Sequence, residues 1–352
     1  MEVSGLAVLL LLVVALSFYL WRMIQTEPNP RSRSIAVLPL QNLMPDQQGD
    51  YFSDGLTEEL INALSRIDGL RVVARTSVFR YKGKNEDIRT IGAELNVGRI
   101  LEGTVRADGD RLRVNARLVD TEDGYQLWAP AYDREMKSIF AIQDEITRAI
   151  VDAMEVQFAG VVDLPVSRVR PNLEAYESHL QGRYFWHKRT RGGLEKAIEY
   201  FGRALAADPK YAEAWSGLAD AYSLMAAYEL EPLPKFAQQA VAAARKSVEL
   251  DGNLAEAHAS LGFALATFAG AWAEAETSFR RAIRINPGYA TARQWYASSF
   301  LVLFGRLDEA LQQMEEASSL DPVSAVIHYD LGRVFTYRRE FELRDAVTVT
   351  AP

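Results

Sequence analysis

No cysteine occurs among the 352 residues of this chain. That excludes a disulfide framework, a zinc–thiolate site, an iron–sulfur cluster and a thiol nucleophile. Histidine is scarce. The four are His179, His187, His258 and His328, and no two stand at metal-ligand spacing. Each reads as a packing or surface residue. Positive charge is in deficit, with 39 Lys and Arg against 47 Asp and Glu and a net charge of -8. Non-specific nucleic-acid binding needs clustered cations to neutralise phosphate, so no nucleic-acid partner is expected. There is no phosphate-cradling glycine loop and no nucleophile elbow. The carboxylate pairs Glu58/Glu59 and Asp144/Glu145 fall on amphipathic helices and read as solvated faces. No catalytic, cofactor-binding or metal-binding residue is therefore expected.

What is present is apolar patterning. Hydrophobic residues make up 49% of the chain, enough to build folded domains rather than long disorder. The run GLAVLLLLVVALSFYL starts at Gly5, and Tyr19, Trp21 and Arg22 mark its water-facing end. About 20 apolar residues cross a bilayer as a helix, so residues 5–24 are expected to form a transmembrane helix. A cleaved signal peptide fits less well. The basic n-region and a small-x-small cleavage site are both lacking. A single-pass protein of a bacterial inner membrane follows as the expected location. Arg22, Arg31 and Arg33 after the span argue for a cytoplasmic soluble part.

Residues 25–34 read as a polar linker. An α/β domain is expected over 35–158. A short buried strand covers 35–40. A helix opens near Ser53, with Ser53 or Asp54 as its cap. A second strand spans 70–74 and a second helix 88–95. Asp108-Gly109-Asp110 joins two alternating strands over 100–107 and 111–119, the cue for a hairpin. A further strand covers 125–129, and an amphipathic helix closes the domain over 140–154. Arg106, Arg111, Arg113 and Arg117 form a basic face. It reads as a solvated sheet surface balanced by Glu102, Asp120 and Glu122. The ordered segments SIAVLPLQNL, GDYFSDGLTEELINALSRI, LRVVARTSVFRYKGK, ILEGTVRADGDRLRVNARLVD and GYQLWAPAYDRE resemble the TolB-like N-terminal module. The resemblance implies a protein-interaction domain without catalytic residues. In bacteria that module often stands between an upstream cyclase, kinase or winged-helix effector and helical repeats. With a cytoplasmic effector, that architecture places the soluble part in the periplasm, and this is the placement expected here.

After a linker at 159–172, residues 173–345 repeat. Asp208-Pro209, Asp251-Gly252, Asn286-Pro287 and Asp321-Pro322 recur 43, 35 and 35 residues apart. This is close to the period of about 34 residues that marks helix–turn–helix repeats. Small and aromatic residues recur inside each unit: Ala197, Phe201 and Ala204, then Trp215, Leu218 and Ala219, then Gly262, Ala275, Phe279 and Ala282, then Trp295, Tyr296, Ala310 and Ala317. Small residues let helices approach and aromatics fill the gaps. These residues resemble the tetratricopeptide family, giving four repeats and an incomplete fifth. The aromatic-basic run 184–189 could stack nucleobases, but it falls between two helices of a repeat and reads as packing.

The expected fold class is multidomain: a transmembrane helix, a small TolB-like α/β domain and an all-α tetratricopeptide solenoid. First helices of such repeats line a concave groove for an extended peptide or helix. By register Glu213, Ser216, Asp220, Ser223, Glu256, Phe263, Gln294 and Ser298 should face it. The expected role is a membrane-anchored, non-catalytic scaffold for protein or peptide partners in envelope assembly or signalling. The alternative is the sensory part of a transmembrane adenylate cyclase or winged-helix regulator lacking its effector.

Overall fold

The computed structural model describes residues 30–44, 49–154, 170–228 and 233–338. Its α/β module is built on the hairpin that the Asp-Gly pair announces. Strands β4 (Arg99–Asp108) and β5 (Arg111–Asp120), numbered in chain order, pair antiparallel over ten positions, with Asp108 opposite Arg111. Gly109 opens the two-residue turn at a φ of 59°, where a type II′ turn calls for glycine. Leu112, Val114, Ala116 and Leu118 of β5 are buried and the arginines between them are exposed. Strand β1 (Ser34–Val37) lies parallel to β4 on one side and to β3 (Arg71–Val72) on the other. It is wholly buried, and its apolar residues Ile35, Ala36 and Val37 run without alternation, as an inner parallel strand requires. Strand order is β3-β1-β4-β5-β6, with β6 at Gln126–Trp128. The short β2 (Gln41–Asn42) pairs with β4 and β7 (Ala131–Glu135) with β5. Helices α1 (Gly49–Ser65) and α4 (Ile139–Met154) share one core with the sheet through Leu56, Leu60, Leu64, Ile142, Ile146 and Ile150. Short helices α2 (Arg75–Phe79) and α3 (Ile88–Glu94) lie between strands.

Two local expectations change. Helix α1 starts at Gly49, so Ser53 and Asp54 lie inside it rather than capping it. The Ser53 carbonyl accepts from Thr57 Oγ1 at 2.8 Å, and Asp54 pairs with Lys82 Nζ at 2.7 Å. The basic sheet face is balanced as expected for Arg117, which meets Glu102 at 2.5 Å. Arg111 and Arg113, however, both pair with Asp133 on the unforeseen strand β7.

The second part is a succession of paired helices: α5 (Leu173–Trp186), α6 (Arg191–Ala207), α7 (Ala212–Ala227), α8 (Leu233–Leu250), α9 (Ala255–Ala264), α10 (Trp272–Ile285), α11 (Ala290–Tyr296), α12 (Leu307–Leu320) and α13 (Ala325–Tyr337). Phe201 of α6 is wholly buried between Gly182 of α5 and Gly217 of α7. A Cβ at either glycine would stand 2.6 or 2.5 Å from the ring, so only glycine admits it. The punctuating residues have a common mechanism. Asp208, Asp251 and Asn286 each accept, through Oδ1, the backbone N–H two residues on, at 3.0, 2.8 and 3.0 Å. These turns end one helix and aim the next.

Among the described residues no helix is long and apolar enough to cross a membrane. The longest, α8 at 18 residues, carries Lys235, Arg245, Lys246 and Glu249 along its length. This corrects the fold class led by a transmembrane helix, and with it the single-pass inner-membrane location and periplasmic placement. The fold is a helical repeat solenoid with a small N-terminal α/β region. The segment 5–24 itself lies outside the described residues, as do residues 339–345 of the fifth repeat.

Candidate partner-binding cavity between the module and the solenoid

The first helices of the repeats, α5, α7, α9, α11 and α13, supply one wall of a cavity of about 1390 Å3. Helices α1 and α2 of the module supply the facing wall. The concave surface is therefore not an open groove. Of the eight residues expected on it, Glu213, Ser216, Glu256, Phe263, Gln294 and Ser298 line the cavity. Asp220 and Ser223 are buried, at 2% and 1% exposure, and serve the wall from within. Asp220 Oδ1 accepts from Ser260 Oγ at 2.5 Å, and Ser260 Oγ lies 3.0 Å from Ser216 Oγ. Gln294 donates to Asp330 Oδ2 at 3.0 Å, and Phe263 packs on Trp295 with ring centres 4.7 Å apart. Helices α9 and α11 each end in one π-helical turn, Leu265–Ala269 and Ala297–Leu301. Both turns reach the cavity, through Ala266, Thr267, Ser298 and Ser299. Such turns re-aim side chains within a helix and gather at functional sites. No apolar period in the sequence distinguishes them.

The electrostatics centre on two neighbouring glutamates of α1. Glu58 accepts from Arg183 Nη2 and Nε at 2.6 and 2.9 Å, and its other oxygen lies 3.3 Å from Arg75 Nε. His187 Nε2 is 3.0 Å from Glu58 Oε2. Burial opposes the charge on Glu58, but Arg183, His187 and Arg75 together hold its carboxyl well below the usual range. Burial, with Arg75 beside it, pushes His187 down to about 3, so the neutral ring donates Nε2–H to the carboxylate. Glu59 faces the opposite situation. Burial, then Glu213 and Glu58, push it up to about 7. Burial likewise pushes Asp220 up to about 6, against the pull of Arg183. Reading Glu58 and Glu59 as a solvated face is thus overturned: both point into the junction. The partners of Glu58 lie up to 129 residues away, which no local pattern reveals.

The two parts meet in two ways. Near α5 the contact has an apolar core beside the buried Glu58–Arg183 pair. Tyr176 and Leu180 sit in the module's own core, and Gly55 of α1 admits Leu180 where a Cβ would stand 2.7 Å from it. Gln143 of α4 donates to Tyr176 Oη at 2.6 Å. Far from α5 the contact is mainly polar, with Ala74 packed against the solenoid core. Asp321 Oδ1 accepts from Ser77 N at 2.9 Å and Ser77 Oγ at 2.6 Å. Ala74, at the N-cap of α2, makes no side-chain cap bond, so Asp321 caps that helix from the other end of the molecule. Ala74 N donates to Leu320 O at 2.7 Å, Asn286 Nδ2 to Ser65 Oγ at 2.9 Å, and Arg66 pairs with Glu256 at 3.4 Å. In the sequence Asn286 and Asp321 carry only the signature of helix-ending punctuation.

Residues 185–223 and 265–325 match the family model described as tetratricopeptide repeat. The repeats are tetratricopeptide repeats, a scaffold fold for protein–protein interaction. Residues 31–149 match a model described as the second domain of HilA/YgeH-like transcriptional regulators, in place of the TolB-like module that the segment order resembles. Among curated relatives, the putative adenylate cyclase 3 of Rhizobium meliloti (strain 1021) is 38% identical over 251 residues, covering 69% of this chain and 42% of that protein. The transcriptional regulator HilA of Salmonella typhimurium is 23% identical over 305 residues, covering 85% of this chain and 52% of the regulator. The chain thus spans about half or less of the length of these relatives. Among solved structures, a thermophilic TPR protein of Thermus thermophilus is 18% identical with a TM-score of 0.40, covering 56% of this chain and 94% of that one. YrrB, a TPR protein with an unusual peptide-binding site, is 21% identical with a TM-score of 0.33, covering 50% and 84%.

Proposed function

We propose that this chain is the protein-binding, regulatory part of a bacterial signalling protein, with residues 35–158 and 173–345 as its two working units. The observation that carries this reading is the cavity itself, lined by Glu213, Ser216, Glu256, Phe263, Gln294 and Ser298 on the concave face of a tetratricopeptide scaffold. A segment of a partner protein lies along these residues, while Asp220 and Ser223 hold the wall in shape. The relatives named as an adenylate cyclase and a transcriptional regulator support a regulatory rather than catalytic role, because an output domain can be joined to the same pair of units. Envelope assembly has no such support. The test is a photo-crosslinking residue at Ser298, with the exposed Glu315 of α12 as control. A discrete conjugate in cells of the native host from position 298 and not from 315 is expected. Equal labelling at both, or none at 298, overturns the reading.

A further inference from the structure

We infer that the solenoid is a clamp on its own α/β module, hinged at α5 and closed at its far end by a releasable latch between Asp321 and helix α2, and that a partner reaches the cavity only when this latch opens. The inference rests on the partner-binding reading of the cavity. Its grounds are the unequal character of the two ends of the contact. At α5 the module and the solenoid share a core, through Tyr176, Leu180 and Gly55. Such a contact does not open without unfolding. At the far end Ala74 packs on the solenoid core, and the rest of the contact is made of hydrogen bonds: Ser77 to Asp321, Val323 N to Ser77 Oγ at 3.1 Å, Ala74 N to Leu320 O and Asn286 to Ser65. Water can replace such bonds, whereas it cannot replace a shared apolar core.

Between hinge and latch the surfaces are not packed. They enclose about 1390 Å3, and three carboxylates, Glu59, Glu213 and Glu256, share that space with Arg66. A permanent interface excludes both voids and like charges. Contacts between domains of one chain resemble transient interfaces, and relative motion is their ordinary behaviour. Tetratricopeptide arrays stack by nearest-neighbour contact, so the pitch of successive helix pairs can spread by small steps. Opening at Asp321 therefore needs no broken helix. The occupant that fits is a peptide or helix bearing a basic side chain, which would answer Glu59 on the cavity wall.

The absence of cysteine gives a clean experiment. A Cβ built on Gly288 lies 3.2 Å from Ser65 Cβ, near the separation of about 3.5–4.5 Å that a disulfide spans. In the full chain carrying Ser65→Cys and Gly288→Cys, the disulfide is expected to form under mild oxidation. Adding Asp321→Ala or Ser77→Ala should slow its formation about tenfold. Asp208→Ala, which removes only the turn bond from Lys210 N at the corresponding place in the first repeat, should leave the rate unchanged. An unchanged rate in both latch variants, or failure of the disulfide while both thiols react with a maleimide, overturns the latch. Equal slowing by Asp208→Ala does so too, since it marks general loosening of the solenoid. A crosslinker at Glu213 then tests gating. The oxidised protein should lose a conjugate that the Asp321→Ala protein gains, and equal conjugates in both overturn gating. A latch that opens with no conjugate in any state sinks the partner reading and leaves the clamp standing.

Discussion

Glu58 and Glu59 are adjacent, alike in sequence and opposite in consequence. Glu58 is paired with Arg183, His187 and Arg75. Breaking a buried pair leaves an uncompensated charge, so Arg183→Met should cost about 3–5 kcal/mol in urea unfolding at pH 7. Glu59 binds its proton more tightly in the fold, at about 7 against an ordinary 4.5. Its ionisation therefore destabilises the fold progressively from about pH 4.5 to about pH 7, and the penalty is complete above that. Glu59→Gln should raise the unfolding midpoint at pH 8 and leave it unchanged at pH 4.5. A gain at pH 4.5 equal to that at pH 8 would refute the assignment. His187 works in the other direction. Its folded value near 3 lies below its ordinary 6.5, so its contribution is complete above 6.5 and is lost as pH falls toward 3.

At the scale of elements, the solenoid helices were legible because burial imposes a 3.6-residue period and close approach selects Gly, Ala and Phe at fixed places. Phe201 is the test of that logic. It is wholly buried between two glycines that cannot move inward, so Phe201→Ala should leave a cavity and cost about 3–5 kcal/mol by denaturant midpoint. The hairpin was legible for a similar reason, since Asp-Gly and strict alternation are local. Helix α2 and strand β7 were not. Five residues each carry too little pattern, and α2 takes its cap from Asp321, 244 residues away. The start of α1 is hidden because Ser53 and Asp54 have cap chemistry, but the Ser53 hydroxyl donates to Asp50 O and Asp54 pairs with Lys82. Of the cavity, one wall could be read from repeat register. The other wall could not, because nothing periodic in α1 announces that it faces a second domain.

At the scale of the molecule, the junction couples two parts that would otherwise unfold separately. Repeat arrays unzip from their ends, because each unit touches only its neighbours. Here the module touches α5, α9 and the turns before α11 and α13. Fluorescence from Trp128 in the module and from Trp295 in the solenoid, each as the sole tryptophan, should report coincident unfolding midpoints in urea. Separated midpoints would show the parts to be independent. The same bridging contact makes the array a ruler. Most repeat proteins tolerate an added unit, since any neighbour will do. In this chain the rise from Arg183 to Asp321 must equal the width of the module from Glu58 to Ser77. A thirty-four-residue insertion between α8 and α9 would fold as a longer solenoid, yet it would carry the Asp321 peg past its socket. The number of repeats is in this sense a measured length, set by the body it closes on.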